Sequence, residues 1–234
     1  MCIRDRVEAG RPDTADFEKL SMIAEEGATR VSVNPQTMDD RVLALMGRKH
    51  TAADIVRMVS DIRKIGGMLI NMDVIAGLPG DCETGFRDTM QRVQALAPDN
   101  ITVHTLAVKK GSTLRDERMQ LPPPDAVERM VDFALDTVTQ AGLKPYYLYR
   151  QKYMSGNLEN VGYAKPGCES MYNVLIMEEI HTILSLGAGG VTKLVNPEQN
   201  EIVRIFNPKY PYEYNDALNR FADSSRKIVS FYSR

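Results

Sequence analysis

The chain has no tryptophan and only three cysteines and three histidines among its 234 residues. That scarcity removes several chemistries at once. Cys2, Cys82 and Cys168 stand too far apart for a CxxC redox pair or a local zinc site, so they read as reduced, unpaired thiols of a cytosolic protein. No metal set and no activated nucleophile is placed by the sequence. A formal net charge of −2 offers no basic field for nucleic acid. No apolar run approaches a membrane span, and the amino terminus lacks the apolar segment of a signal peptide. The expected protein is therefore cytoplasmic, with neither nucleic acid nor membrane as a partner. Repeats and low-complexity tracts are absent too, and the nearest thing to a linker is LPPPD at 121–125. The apolar share, 43%, supports a core for one large or two small domains.

What is present centres on NMDVIAGLPG, residues 71–80. An apolar strand here carries Asp73 and stops at a Gly-Leu-Pro-Gly turn. Side chains alternate across a strand, so Met72, Val74 and Ala76 can pack on helices while Asn71, Asp73 and Ile75 face the other way. A carboxylate with nothing opposite it is costly to bury, so Asp73 should meet a cation, donors or ligand hydroxyls. A structural aspartate bonded to neighbouring backbone is the alternative that this strand alone leaves open. The segment TRVSVNPQT at 29–37 repeats the pattern, with Val31 and Val33 alternating with Arg30, Ser32, Asn34 and Gln36. A third strand, NITVHTLAV at 100–108, puts Thr102 and His104 on one face, and VEAG at 7–10 adds Glu8. Between these lie helical patterns at 17–27, 51–67 and 83–97, with apolar residues three and four apart and glycine ending the first two. The alternation predicts an α/β fold with one parallel sheet and right-handed crossovers. Ligands of such folds sit at the carboxyl ends of the strands, where Gln36, the GLPG turn and the AVKKGS segment fall.

After the helix at 125–142 the composition changes. All ten tyrosines follow residue 145, and Tyr147, Tyr149, Arg150, Lys152 and Lys165 combine flat amphipathic surface with positive charge. That suits a planar or macrocyclic ligand carrying carboxylates. A β-rich domain packing its own tyrosines is the alternative. The predicted division is 7–142 for the first domain and 143–234 for a smaller α+β domain. Residues 1–6, MCIRDR, fit neither and are set aside as an artefact.

The blocks VEAGRPDT, VSVNPQTM, LMGRKHT, NMDVIAGLPGD and LAVKKGSTL, in this order, resemble the second half of a radical S-adenosylmethionine barrel of the coproporphyrinogen dehydrogenase type. The continuation YYLYRQKYMSGNLENVGYAKPG, MYNVLIMEE and LGAGGVTKL resembles the carboxyl-terminal domain of the HemZ-type branch of oxygen-independent coproporphyrinogen III dehydrogenases. The resemblance implies a partial (βα) barrel that binds S-adenosylmethionine through Glu8, Gln36, Arg48 and Asp73. Asp73 and Gln36 would lie near the ribose and Arg48 near the methionine carboxylate or an adjacent acid. It implies a tetrapyrrole substrate bound with help from Tyr147, Arg150 and Lys165, and an electron donor for the full-length enzyme. The family builds its [4Fe-4S] cluster on a CxxxCxxC loop that this chain lacks. The cluster loop is thus expected upstream, the metal ligands and catalytic residues outside this chain, and the chain alone inactive. The implied reaction is oxidative decarboxylation of coproporphyrinogen III propionates to vinyls, in heme biosynthesis, by a 5′-deoxyadenosyl radical. A heme chaperone on the same barrel is the alternative, and an α/β barrel using Glu8, Asp73 and His104 in acid–base work is a third.

Overall fold

The computed structural model of the protein describes residues 6–107, 120–151, 154, 156 and 158–233. Val108 to Ser112 of the AVKKGS segment, together with Lys152 and the residues up to Asp5, lie outside the described residues. The chain forms two compact units, Met1–Ser170 and Met171–Arg234.

The first unit is a six-stranded sheet in the order β1-β2-β3-β4-β6-β5. Strands β1 (Val7–Gly10), β2 (Arg30–Val33), β3 (Leu69–Ala76) and β4 (Asn100–Thr105) run parallel, as the alternation predicts. Then β5 (Lys144–Tyr149) and β6 (Asn160–Ala164) form an antiparallel hairpin whose second strand pairs with β4. Helices α1 (Phe17–Glu25), α3 (Ala52–Ile65), α4 (Glu83–Ala95) and α5 (Pro124–Gln140) match the periodic segments. A short α2 (Asp40–Leu45) precedes α3.

The helix starts are written locally. Asp16 accepts from the Lys19 amide at the head of α1, and Thr51 and Asp54 form a reciprocal capping box at the head of α3. Pro124 opens α5, where its missing N–H costs nothing.

One face of the sheet is apolar apart from Thr105 at the end of β4. Val31, Val33, Ile70, Met72, Val74, Ala76, Ile101 and Val103 are all buried there, among Ile55, Val59 and Ile62 of α3, Phe86 and Met90 of α4 and Val127 and Met130 of α5. Burial on the scale of about 25 cal/mol per Å² of apolar surface makes this layer the main stabilising element. It leaves the opposite face free to be polar.

The predicted boundary after Gly142 is corrected by the sheet. Residues 144–164 form β5 and β6 inside the first unit, and the units part only between Ser170 and Met171. The rise in tyrosine content marks a change of strand direction, not of domain. The second unit holds α6 (Met171–Met177), the antiparallel pair β7 (Val191–Asn196) and β8 (Glu201–Phe206), α7 (Pro211–Asn215) and α8 (Leu218–Tyr232). Its small core gathers Leu194, Ile205 and Phe231 with Val203 and Ile228.

Candidate functional site

The register of the first sheet sets a row of polar residues side by side. Glu8 lies opposite Ser32, Ser32 opposite Asn71, Asp73 opposite Thr102, and Ile75 opposite His104. Because side chains alternate, all of these point away from the helical layer. They join into a continuous network. Ser32 Oγ donates to Glu8 Oε1 at 3.2 Å and Asn34 Nδ2 donates to Glu8 Oε2 at 3.3 Å. Asn71 Nδ2 donates to Ser32 Oγ at 3.3 Å and to Asp73 Oδ1 at 3.0 Å. Asp73 Oδ2 lies 3.7 Å from His104 Nε2, and His104 Nδ1 lies 3.3 Å from the Tyr149 hydroxyl.

Burial works to raise the Asp73 pKa, since water is excluded from the charged form. The bond and charge of His104, then the Asn71 amide and the Thr102 hydroxyl, outweigh that effect and hold the carboxyl below its ordinary value. Asp73 is thus an anion in the middle of a polar face.

Gln36 reaches this place by its backbone. It follows β2 with φ +66°, bridges to Val74, receives a bond at its carbonyl from the Ile75 amide (2.9 Å) and donates its own amide to the Asp73 carbonyl (3.0 Å). Its side-chain Oε1 and the Oδ1 of Asn34 are buried acceptors without a hydrogen-bond partner. Asn34 lies against the Glu8 carboxylate through its Nδ2, Gln36 is tied to Asp73 through the backbone, and both orphaned acceptors are open to a ligand that brings hydroxyl or amino donors.

Arg48 is different. It sits in the connection between α2 and α3, partly buried, and no hydrogen bond or ion pair among the described residues joins it to Glu8, Gln36 or Asp73. Its charge is felt instead by His50, a buried imidazole whose pKa falls first through desolvation and then through Arg48.

The expected substrate set does not converge. Tyr147 belongs to the polar face: its hydroxyl is 3.2 Å from Thr102 Oγ1, and its ring lies parallel to Tyr149, 6.3 Å away at 6°. Burial holds the Tyr147 phenol un-ionised well above its ordinary pKa. Arg150 is engaged by Glu159 at 2.8 Å at the end of β5 beside the carboxyl end of β4. Lys165 is engaged by Asp99 at 3.0 Å, at the opposite end of β4. Asn100 to Thr105 separate those ends, and at about 3.3 Å per residue they are some ~17 Å apart. The reason is direction: β6 runs antiparallel, so Lys165 leaves the sheet at the end where the parallel strands begin.

The sequence put His104 on one strand face with Thr102 and outside the expected cofactor set, yet the structure sets it against Asp73. Its signal was there: it shares the i, i+2 alternation of Thr102.

The GLPG turn leads into a separate feature. Asp81 accepts from the Cys82 amide through Oδ1 (2.8 Å), while its Oδ2 is buried and unpartnered. A Cβ at position 85 would lie 2.6 Å from Asp81 Oδ1, so any larger residue there would displace the Asp81 carboxyl. A cavity of about 510 Å³, lined by Leu45, Pro79, Leu121 and Pro123, adjoins Asp81 and shares no residue with the Asp73 network.

Desolvation, aided by the nearby Asp39 and opposed by the Cys82 amide and Arg41, pushes the Asp81 carboxyl up to about 6. Folded protein therefore binds the proton more tightly than unfolded chain. Stability should fall as pH rises from about 4 to about 6 and stay reduced above, by about 1–3 kcal/mol. Asp81→Asn should remove this decline and raise the melting temperature at pH 7. Thermal melts of both proteins across pH 4 to 8 check it, and identical pH profiles would contradict it.

Comparisons with known proteins follow the geometry. Residues 6–93 match the radical SAM superfamily. The chain is 40% identical over 225 residues to the oxygen-independent coproporphyrinogen-III oxidase-like protein HemZ of Bacillus subtilis, covering 95% of this chain and 45% of that protein. The heme chaperone HemW of Bacillus subtilis is 27% identical over 217 residues, 88% of this chain and 54% of that one. The crystal structure of coproporphyrinogen III oxidase HemN from Escherichia coli, titled a radical SAM enzyme, shares the fold with a TM-score of 0.66 at 20% identity, over 88% of this chain and 46% of that one. The chain spans about half the length of the curated relatives it matches. No described helix is long and apolar enough to cross a membrane. The match at residues 6–93 and the HemZ likeness along nearly the whole chain place the chain in the radical SAM superfamily, among its coproporphyrinogen-oxidase-like members.

Proposed function

We propose that the chain is the S-adenosylmethionine-facing and carboxyl-terminal part of an oxygen-independent coproporphyrinogen III dehydrogenase. The polar face centred on Asp73 carries this reading. S-Adenosylmethionine fits the residues present: its ribose hydroxyls and adenine amine are donors, and Asp73, Gln36 Oε1 and Asn34 Oδ1 are the acceptors waiting for them. Glu8, tied to the same network through Ser32, can take the ammonium group.

Bound S-adenosylmethionine supplies the hydrogen-abstracting chemistry. The chain's own residues bind it, orient it and keep water away. Asn71 and His104 fix the two carboxylate oxygens of Asp73, and the Tyr147–Tyr149 pair offers an apolar, hydroxyl-edged surface beside them for a planar tetrapyrrole. The described residues would not by themselves hold an iron–sulfur cluster. Among the described residues no three His, Cys, Asp or Glu side chains gather, and Cys82 and Cys168 are free.

The HemW likeness supports a second reading, a heme chaperone on the same scaffold. One assay separates them. The chain joined to a cluster-bearing segment of the family, reconstituted anaerobically with iron, sulfide, a reductant and S-adenosylmethionine, should convert coproporphyrinogen III to protoporphyrinogen IX. Stoichiometric heme binding without that conversion would favour the chaperone.

A further inference from the structure

One side chain connects the carboxylate to the tyrosine pair. Nε2 of His104 faces Asp73 Oδ2 at 3.7 Å, within ion-pair reach but longer than a hydrogen bond, and Nδ1 lies 3.3 Å from the Tyr149 hydroxyl. The Tyr149 ring meets the imidazole edge-on, with centroids 6.3 Å apart at 71°. A hydroxyl that donates to Nδ1 leaves the ring proton on Nε2, where it faces the carboxylate.

The sheet is built so that this contact can form. Tyr149 stands on β5, with β6 between it and β4. Its register partner Asn160 turns its Oδ1 to the Thr105 amide (2.8 Å), so that side chain is tied down beside β4. One step along, Gly162 leaves the room in which Tyr147 crosses to Thr102: a Cβ on Gly162 would lie 1.8 Å from the Tyr147 ring. The two tyrosines then stack and hold each other's orientation.

We infer that His104 is a positioning residue for Asp73, its ring oriented by the Tyr149 hydroxyl at Nδ1 so that Nε2 faces Oδ2. This rests on the assignment of Asp73 to S-adenosylmethionine. The groups that bear on Asp73 are His104 and Thr102 of β4, Tyr147 and Tyr149 of β5, and Asn71 of its own strand, with Glu8 reached through Asn71 and Ser32. His104 and Asn71 come from different strands, so one carboxylate oxygen is fixed from each side. A ligand hydroxyl then meets an acceptor that cannot turn away, which is how pre-orientation raises affinity.

The test uses the chain labelled with carbon-13 at its aspartate carboxyls and nitrogen-15 in histidine, followed by NMR against pH, beside calorimetric titration with S-adenosylmethionine. His104→Phe should raise the protonation midpoint of Asp73, His104→Gln should restore it by returning an N–H donor, and Tyr149→Phe should shift it the same way as His104→Phe but less. The nitrogen-15 shifts should report the Nε2-protonated tautomer in the wild type. Affinity for S-adenosylmethionine should fall roughly threefold to tenfold in His104→Phe, the size of one lost hydrogen bond. An Asp73 midpoint unmoved in a cooperatively melting His104→Phe variant, or a ring with no proton on Nε2, overturns the inference. Should His104→Phe fail to fold, Tyr149→Phe, which keeps the ring, decides the same question. If neither wild type nor variants bind S-adenosylmethionine, the cofactor assignment of Asp73 fails, while the Asp73 midpoint still decides the role of His104.

Discussion

Replacing Asp73 by alanine should weaken S-adenosylmethionine binding tenfold to a hundredfold while leaving the fold intact. The affinity loss follows from removing a charged acceptor, whose hydrogen bonds contribute about 1.5–3 kcal/mol. The intact fold follows from the position of Asp73 on the face away from the helical layer, where Met72 and Val74 on either side of it are buried with no exposed surface. Because its surroundings favour the ionised carboxyl, removing it should cost about 1–3 kcal/mol, a loss that the buried layer on the other face tolerates. Calorimetric titration and thermal melts of the two proteins measure both quantities. Normal binding by Asp73→Ala would exclude the cofactor role. Loss of the folded state would show that the aspartate is structural instead, the alternative that the strand by itself leaves open. Asp73→Asn refines the result: it keeps the shape and one acceptor but loses the charge, so its affinity should fall between the two.

Gly162→Ala should disrupt the tyrosine pair. The new methyl would sit 1.8 Å from Cε1, 2.4 Å from Cδ1 and 2.7 Å from Cζ of Tyr147. No real contact is that short, so the whole ring must leave, and with it the bond to Thr102 and the stack on Tyr149. Overpacking of this kind costs about 1–3 kcal/mol. The check is a double-mutant cycle. Tyr147→Ala should cost stability in the wild-type background and little in the Gly162→Ala background, because the clash is already relieved. Additive effects would mean that the ring and residue 162 do not interact. The same substitution should lower turnover in the reconstituted enzyme, since the aromatic surface beside Asp73 would be displaced.

How much of this was legible in the chain depends on what each residue's neighbours had to specify. The four parallel strands were legible because a buried sheet with one helical face writes itself as alternation: Val31 and Val33 against Ser32, Met72 and Val74 against Asp73. The helix starts were legible because Thr51 and Asp54 satisfy each other within four residues. Glu8 and Asp73 could be assigned to one face for the same reason, and a shared register brings them together through Ser32 and Asn71.

Lys165 and Arg150 could not be placed, because residue type says nothing about strand direction. One antiparallel step sends the two charges to opposite ends of β4, and the acids that engage them, Asp99 and Glu159, are known only once the hairpin is folded. Arg48 lies in a connection between helices, where no periodicity fixes the direction of a side chain. The domain boundary was misplaced because a run of tyrosines resembles a new core. Here the rings cover the polar face of the sheet that already exists, with Gly162 as the local cause.

The central claim is that S-adenosylmethionine lies on the polar face of the first sheet, against Asp73. The most direct measurement is an intermolecular nuclear Overhauser experiment on the carbon-13- and nitrogen-15-labelled chain with unlabelled S-adenosylmethionine. Cross-peaks from the ribose protons to the side-chain amides of Gln36 and Asn34 and to the β-protons of Asp73 are the expected result. Saturable binding with ribose cross-peaks only to residues outside this face, or no binding at all, would contradict it.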